Sequence, residues 1–97
     1  MRCLHLEGEA GIGCFDPKGD VFGAHDYVRD GKRVVTAWQT DYGRGGECHN
    51  AKGAFSTRFC TVNLAEHRKV RIKVSLREGA NGPDEKSTGW SEWLPIG

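Results

Sequence analysis

Within residues 68–77, polar and apolar side chains alternate without a break from Lys69 to Arg77. Val70, Ile72, Val74 and Leu76 share one parity, and Lys69, Arg71, Lys73, Ser75 and Arg77 share the other. Period-two alternation over about ten residues marks a half-buried β-strand, whereas a helix would spread the same apolar residues around its circumference. Val and Ile also suit a pleated surface. This stretch is expected to be the spine of one sheet.

Shorter runs of the same kind fill the rest of the chain. Residues 1–19 read as an irregular segment, broken by Gly8, Gly11, Gly13, Pro17 and Gly19, with a short edge strand at Cys3-Leu4-His5-Leu6-Glu7. Residues 20–28 form a strand with Phe22, Ala24 and Val28 on one parity. Asp30-Gly31 then signals a tight hairpin, because Gly accepts the positive φ such a turn needs. The return strand is 33–40, with Trp38 as the central core aromatic. Residues 41–53 read as a Gly-rich loop and 54–60 as a strand. A single helical turn at Leu64-Ala65-Glu66 is the longest helix this patterning permits. Residues 78–89 read as a long, polar, exposed loop, and 90–96 as a closing strand. On a regular strand Trp90 and Trp93 have opposite parity, so one faces the core and the other solvent. Pro95 suits an edge or a strand end. Short strands with turn signals between them predict one all-β domain over 1–97, a sandwich of about six to seven antiparallel strands.

Composition adds a covalent element. Only 37% of 97 residues are apolar, a small core for an independent domain. Four cysteines, Cys3, Cys14, Cys48 and Cys60, fit two disulfides in an oxidising compartment. Three pairings are open; the local ones, Cys3–Cys14 and Cys48–Cys60, are favoured. Zinc fits less well, since there is no C-x-x-C, and the adjacent Cys48 and His49 would point apart on a strand. A net charge of +1 argues for neither nucleic acid nor an anionic membrane as partner. No apolar run is long enough to span a bilayer and no signal peptide is visible; Met1-Arg2-Cys3 reads as a start added to an already processed chain.

Candidate chemistry is sparse. The spacing Gly8, Gly11, Gly13 is followed by neither Lys-Ser/Thr nor a helical run, so it is no phosphate loop. His5, His25, His49 and His67 stand apart from one another, and Ser56, Ser75, Ser87 and Ser91 lack nucleophile-elbow glycines. Asp84-Glu85 serves to solvate a polar loop. No enzyme, cofactor or metal site is expected. The clearest surface feature is the basic stripe of Lys69, Arg71, Lys73 and Arg77, either a solvated strand face that deters edge pairing or a docking face for an acidic partner or sulfated polymer. Arg71, Lys73, Trp90, Trp93 and Tyr42 are the candidate binding residues, because aromatics and Arg are enriched at interface hot spots. Arg58 or Lys52, between Cys48 and Cys60, would suit the pocket of a trypsin-like protease.

Two resemblances extend this reading. The order from the spine strand through a Gly/Asn loop to Gly89-Trp90-Ser91-Glu92-Trp93 resembles the last two strands of fibronectin type III and other immunoglobulin-like domains. Residues 19–93 are similar to small secreted proteins of actinobacteria, through Gly19-Asp20-Val21-Phe22, Asp30-Gly31, Val34-Val35, Cys48, Cys60, the strand Val70 to Leu76, and Trp90. Such proteins often carry a further cysteine in the amphipathic strand, and this chain has none there. The resemblance implies an extracellular immunoglobulin-like sandwich. It also brings in one role, the small adaptor of umbrella-shaped toxin particles, which joins a lectin-bearing subunit to a repeat-containing stalk. The expected function is therefore a secreted, non-catalytic protein-binding or adaptor module whose partner is another secreted protein; the alternative is an inhibitor of a secreted protease or other hydrolase.

Overall fold

The computed structural model describes residues 1–28, 32–79 and 82–96. Among the described residues, nine strands form two antiparallel sheets: β1 (Arg2–His5), β2 (Gly11–Asp16), β3 (Val21–Asp26), β4 (Arg33–Thr40), β5 (Gly45–Asn50), β6 (Ser56–Thr61), β7 (Lys69–Arg77), β8 (Asp84–Ser87) and β9 (Leu94–Pro95). The first sheet runs β1-β2-β3-β6 and the second β5-β4-β7-β8, with β9 also paired to β7. Thus β4, β7 and β8 stand to one another as the C, F and G strands of an immunoglobulin-like sandwich, and β3 and β6 as B and E.

The spine behaves as its alternation predicts. Val70, Ile72, Val74 and Leu76 are buried, and β7 pairs with β4 from Arg33↔Arg77 to Thr40↔Val70. Trp38 is buried and stacks on Phe22 of the opposite sheet, ring centroids 5.1 Å apart; Phe22 in turn packs on Phe15. Each of these side chains contributes about 1.5–3 kcal/mol by leaving water. Both local disulfides form. Cys3–Cys14 joins neighbouring strands, and Cys48–Cys60 ties β5 to β6 across the two sheets. With no free cysteine, no thiolate remains as a metal ligand.

Several expectations need correction. Residues 1–19 are not irregular, because β2 lies inside the first sheet between β1 and β3. Its glycines are a packing requirement. A Cβ on Gly11 would lie 2.6 Å from Val34 Cγ2, and one on Gly13 would lie 2.2 Å from Val74 Cγ2. Residues 41–53 hold β5, whose Gly46 lies under the Trp38 indole, where a Cβ would meet Cζ2 at 2.7 Å. Residues 78–89 likewise hold β8, exposed along its whole length. Asp30-Gly31 lies outside the described residues, but the strands it joins are not a hairpin: β3 and β4 belong to different sheets. The crossing lets Phe22 and Trp38 meet face to face in the interior. Val28, expected to face inward, is exposed beyond the end of β3, and the buried position of its parity is Asp26. No helix forms at Leu64-Ala65-Glu66; the chain has no regular secondary structure at Leu64, turns at Glu66-His67, and Leu64 fills the core.

Candidate functional site

The segment between β8 and β9 follows β7 by an unusual route. Thr88 N donates to Val74 O (2.9 Å), and Thr88 Oγ1 accepts from Val74 N (3.1 Å). Ser91 repeats the arrangement on Ile72, donating at 2.8 Å and accepting at 3.0 Å. Val70 then pairs with Leu94. Three residues of the segment therefore match two residues of the strand, with hydroxyls standing in for carbonyls. Trp90 and Trp93, three apart, consequently project to the same side. The expectation that they face opposite sides was based on a period of two, which this segment does not have.

Between the two rings lies Arg71. Its guanidinium carbon is 4.8 Å from the Trp90 ring centroid and 4.9 Å from that of Trp93. Gln39 Oε1 accepts from Arg71 Nη2 (2.7 Å) and Nε (3.2 Å), fixing the plane of the group, and Lys73 Nζ lies 5.0 Å from the Trp90 centroid. Each cation–π contact contributes about 0.5–1 kcal/mol at an exposed site. Trp90 is partly buried, while Trp93 is 43% exposed. Four of the residues selected from sequence, Arg71, Lys73, Trp90 and Trp93, are thus brought together on the outer face of the second sheet.

Two cations of the basic stripe, Arg77 and Lys73, are paired with carboxylates within the sheet. Arg77 pairs with Glu47 (2.6 Å) and Asp84 (2.7 Å), and Lys73 with Asp84 (3.4 Å). In the strand register, Val35 lies between Arg77 and Glu47, and this outward-facing valine is fully buried. The hydrogen bond from Arg77 holds the Glu47 carboxyl below its usual range. For Asp84, partial burial acts to raise the pKa, but hydrogen bonding and charge, chiefly from Arg77, outweigh it, and the pKa is lowered. Arg77 itself is raised, mainly by its bond to Glu47. A hollow of about 300 Å³ opens beside these pairs, lined by Trp90, Lys73, Glu47, Ala37 and Gly46 among others.

Two selected residues lie elsewhere. Tyr42 packs against the larger core cluster; its hydroxyl accepts from Ala65 N (2.9 Å), and the Arg68 guanidinium covers its ring. Arg58 sits mid-strand on β6, opposite Ala24, in the other sheet.

A second surface escaped the sequence reading. On the outer face of the first sheet Phe59 is 61% exposed. The Cys3–Cys14 disulfide, Gly23 and Phe59 share one register row, with Ile12, His25 and Thr57 in the next. His25 hydrogen-bonds Thr57 and meets the edge of Tyr27, ring centroids 4.2 Å apart. Between the disulfide, Gly23 and Phe59 lies a hollow of about 300 Å³. A usable signal existed: Cys60 must point inward to reach Cys48, so its neighbour Phe59 must point outward.

No family model, no curated protein and no solved structure matches the chain.

Proposed function

We propose that the chain is a secreted, non-catalytic protein-binding module that engages its partner through the exposed ring of Trp93. The observation that carries this reading is Arg71 held between Trp90 and Trp93 on an exposed sheet face. Trp and Arg dominate interface hot spots. Here both are fixed before contact, by Gln39 and by Ser91 on β7, so little side-chain freedom is left to lose on binding. Two disulfides support extracellular use, where such bonds persist. The resemblance to small actinobacterial secreted proteins supports an adaptor role, with a lectin-bearing or repeat-containing subunit of a toxin particle as the partner class.

The inhibitor alternative has narrower support. Arg58, though exposed, is held mid-strand in β6 opposite Ala24 of β3, so Lys52 in the β5–β6 connection is the residue a loop could present. That connection is organised by Asn50 Oδ1, which accepts from Lys52 N (3.0 Å). Inhibition across a panel of trypsin-like proteases, lost on Lys52→Ala, would favour this reading over the adaptor.

The test of the adaptor reading is affinity capture of secreted proteins from the native source on the immobilised, oxidised chain, with Trp93→Ala and Phe59→Ser in parallel. A stoichiometric partner retained by the native chain and by Phe59→Ser, but at least about tenfold weaker on Trp93→Ala, is the expected result. A retained partner indifferent to Trp93→Ala would overturn the assignment to this face.

A further inference from the structure

We infer that the Cys3–Cys14 disulfide is a site of thiol–disulfide exchange: a low-molecular-weight aliphatic thiol attaches to Cys14 from the hollow on the outer face of the first sheet and frees Cys3. The inference does not depend on the Trp93 reading, which concerns the opposite side of the sandwich.

Placement is the first argument. Cys3 and Cys14 stand directly opposite each other in the register of β1 and β2, and both are partly exposed. Their bridge is one wall of a hollow of about 300 Å³, the lower end of the volumes that hold small molecules. In the other bridge, by contrast, Cys48 is fully buried between the sheets. A thiolate attacks a disulfide sulfur in line with the bond it breaks. The Cys3–Cys14 bond runs between β1 and β2, so its extension past Cys14 passes over β3, where the residue beside Cys14 is Gly23. Gly23 presents no side chain, and the next residue in that row is Phe59. The line of approach to Cys14 Sγ is therefore the hollow itself, with the Phe59 ring as its far wall.

Charge is the second, and it selects which sulfur leaves. The incoming thiolate is an anion. Neither Asp nor Glu lines the hollow among the described residues, whereas the imidazoles of His5 and His25 do. When Cys14 Sγ is attacked, the electron pair leaves on Cys3 Sγ. His5 stands two residues along β1 on the same outward face, where an imidazole N–H can donate to that developing anion. Attack on Cys3 would instead put the anion on Cys14, whose neighbour on the same face of β2 is Asp16, a like charge that disfavours it.

The step needs no oxidant beyond the disulfide. The thiol loses its proton to water, and its sulfur bonds to Cys14 Sγ as the bond from Cys14 Sγ to Cys3 Sγ breaks. Cys3 Sγ then takes a proton from water. The sulfur of the thiol is oxidised and that of Cys3 is reduced. The body of the thiol comes to lie in the hollow against Ile12 and Phe59, and β1 keeps only its backbone pairing to β2.

Brief exposure of the oxidised chain to reduced glutathione, followed by acid quench, alkylation and peptide mass mapping, tests this. At early times glutathione should be found on Cys14 in at least about tenfold excess over Cys3, in line with access and leaving-group stability setting which sulfur is attacked. Cys3 should be alkylated, the Cys48–Cys60 bridge intact and the near-UV circular dichroism native. Gly23→Val puts a side chain in the line of approach and should slow modification at least about tenfold. The Phe59 ring, 61% exposed, is free to swing aside and admit that side chain. His5→Ala should slow the reaction about two- to tenfold, the worth of one hydrogen bond, with Cys14 still the target. The mapping on the native chain needs no variant. Glutathione mainly on Cys3 overturns the inference, as does a native chain that forms no mixed disulfide before the inner bridge opens. So does a Gly23→Val chain with native circular dichroism that reacts as fast as the native one.

Discussion

Gly13 and Arg77 show how single residues set distances and charges in this sandwich. Gly13 faces Thr36 and Val74 of the opposite sheet so closely that a Cβ would lie 2.5 Å from Thr36 Oγ1. The residue reads as a loop former in the sequence because Gly is depleted in strands. Its reason for being Gly is a contact with residues 23 and 61 positions away, which local patterning does not contain. Arg77 was legible as one cation of a stripe, but its two carboxylate partners come from β5 and β8, two of the strands the sequence concealed. Those pairs make stability depend on acid. Glu47 and Asp84 both have lowered pKa values in the folded chain, so the unfolded chain binds more protons at low pH. Their contribution is complete above the unfolded carboxylate range, about pH 4–4.5, and is lost as the pH falls through the folded values. Arg77→Met should lower stability at pH 7 by about 1–2 kcal/mol, after discounting for the solvent exposure of Glu47. It should also flatten the decline of Tm between about pH 5 and pH 2. Calorimetric Tm series of the two proteins check both; parallel pH profiles would show that the Arg77 pairs do not carry the dependence.

Among the elements, the C-terminal segment departs furthest from simple patterning. Strand parity separates Trp90 from Trp93, yet both rings contact Arg71, because Thr88 and Ser91 give the segment a three-residue repeat along β7. The residues that set this repeat are small hydroxyl side chains, which sequence reading assigns to loops. Arg71 is the clasp of the segment. Arg71→Ala should cost about 1–2 kcal/mol from two cation–π contacts and should red-shift tryptophan emission as Trp93 gains solvent. Arg71→Lys should recover only part of this, because an ammonium cannot stack as a plane between two rings or grip Gln39 at two points. Urea unfolding followed by fluorescence separates the three proteins. Equal behaviour of Arg71→Ala and the native chain would mean that the hydroxyl contacts alone hold the segment.

For the molecule as a whole, the two disulfides have different duties. Cys3–Cys14 lies on an outer face and fastens β1 to its neighbour; Cys48–Cys60 spans the sheets, with Cys48 fully buried. Access to a reductant therefore differs. In a graded thiol titration with alkylation and peptide mass mapping, Cys3 and Cys14 should be labelled before Cys48 and Cys60 while the chain is still folded. Removing the inner bridge by paired substitution should cost about 2–4 kcal/mol. Labelling of Cys48 and Cys60 first would show that the sheets part more readily than the packing of Phe22 on Trp38 implies.

Unaided, the sequence determined the fold class, the spine strand with its inward residues, the core position of Trp38 and the favoured disulfide pairs. These follow from local periodicity, turn chemistry and cysteine spacing, which are properties of neighbouring residues. Tertiary structure alone decided that β3 and β4 part into different sheets, and that the glycines of β2 and β5 lie in strands because an opposing side chain occupies the space a Cβ would need. It also decided that Arg71 lies between two tryptophans, and that Phe59 stands beside a hollow next to the Cys3–Cys14 disulfide. Each of these depends on contacts between residues distant in sequence, brought together by burial of apolar surface between two sheets, and no local pattern encodes such distances.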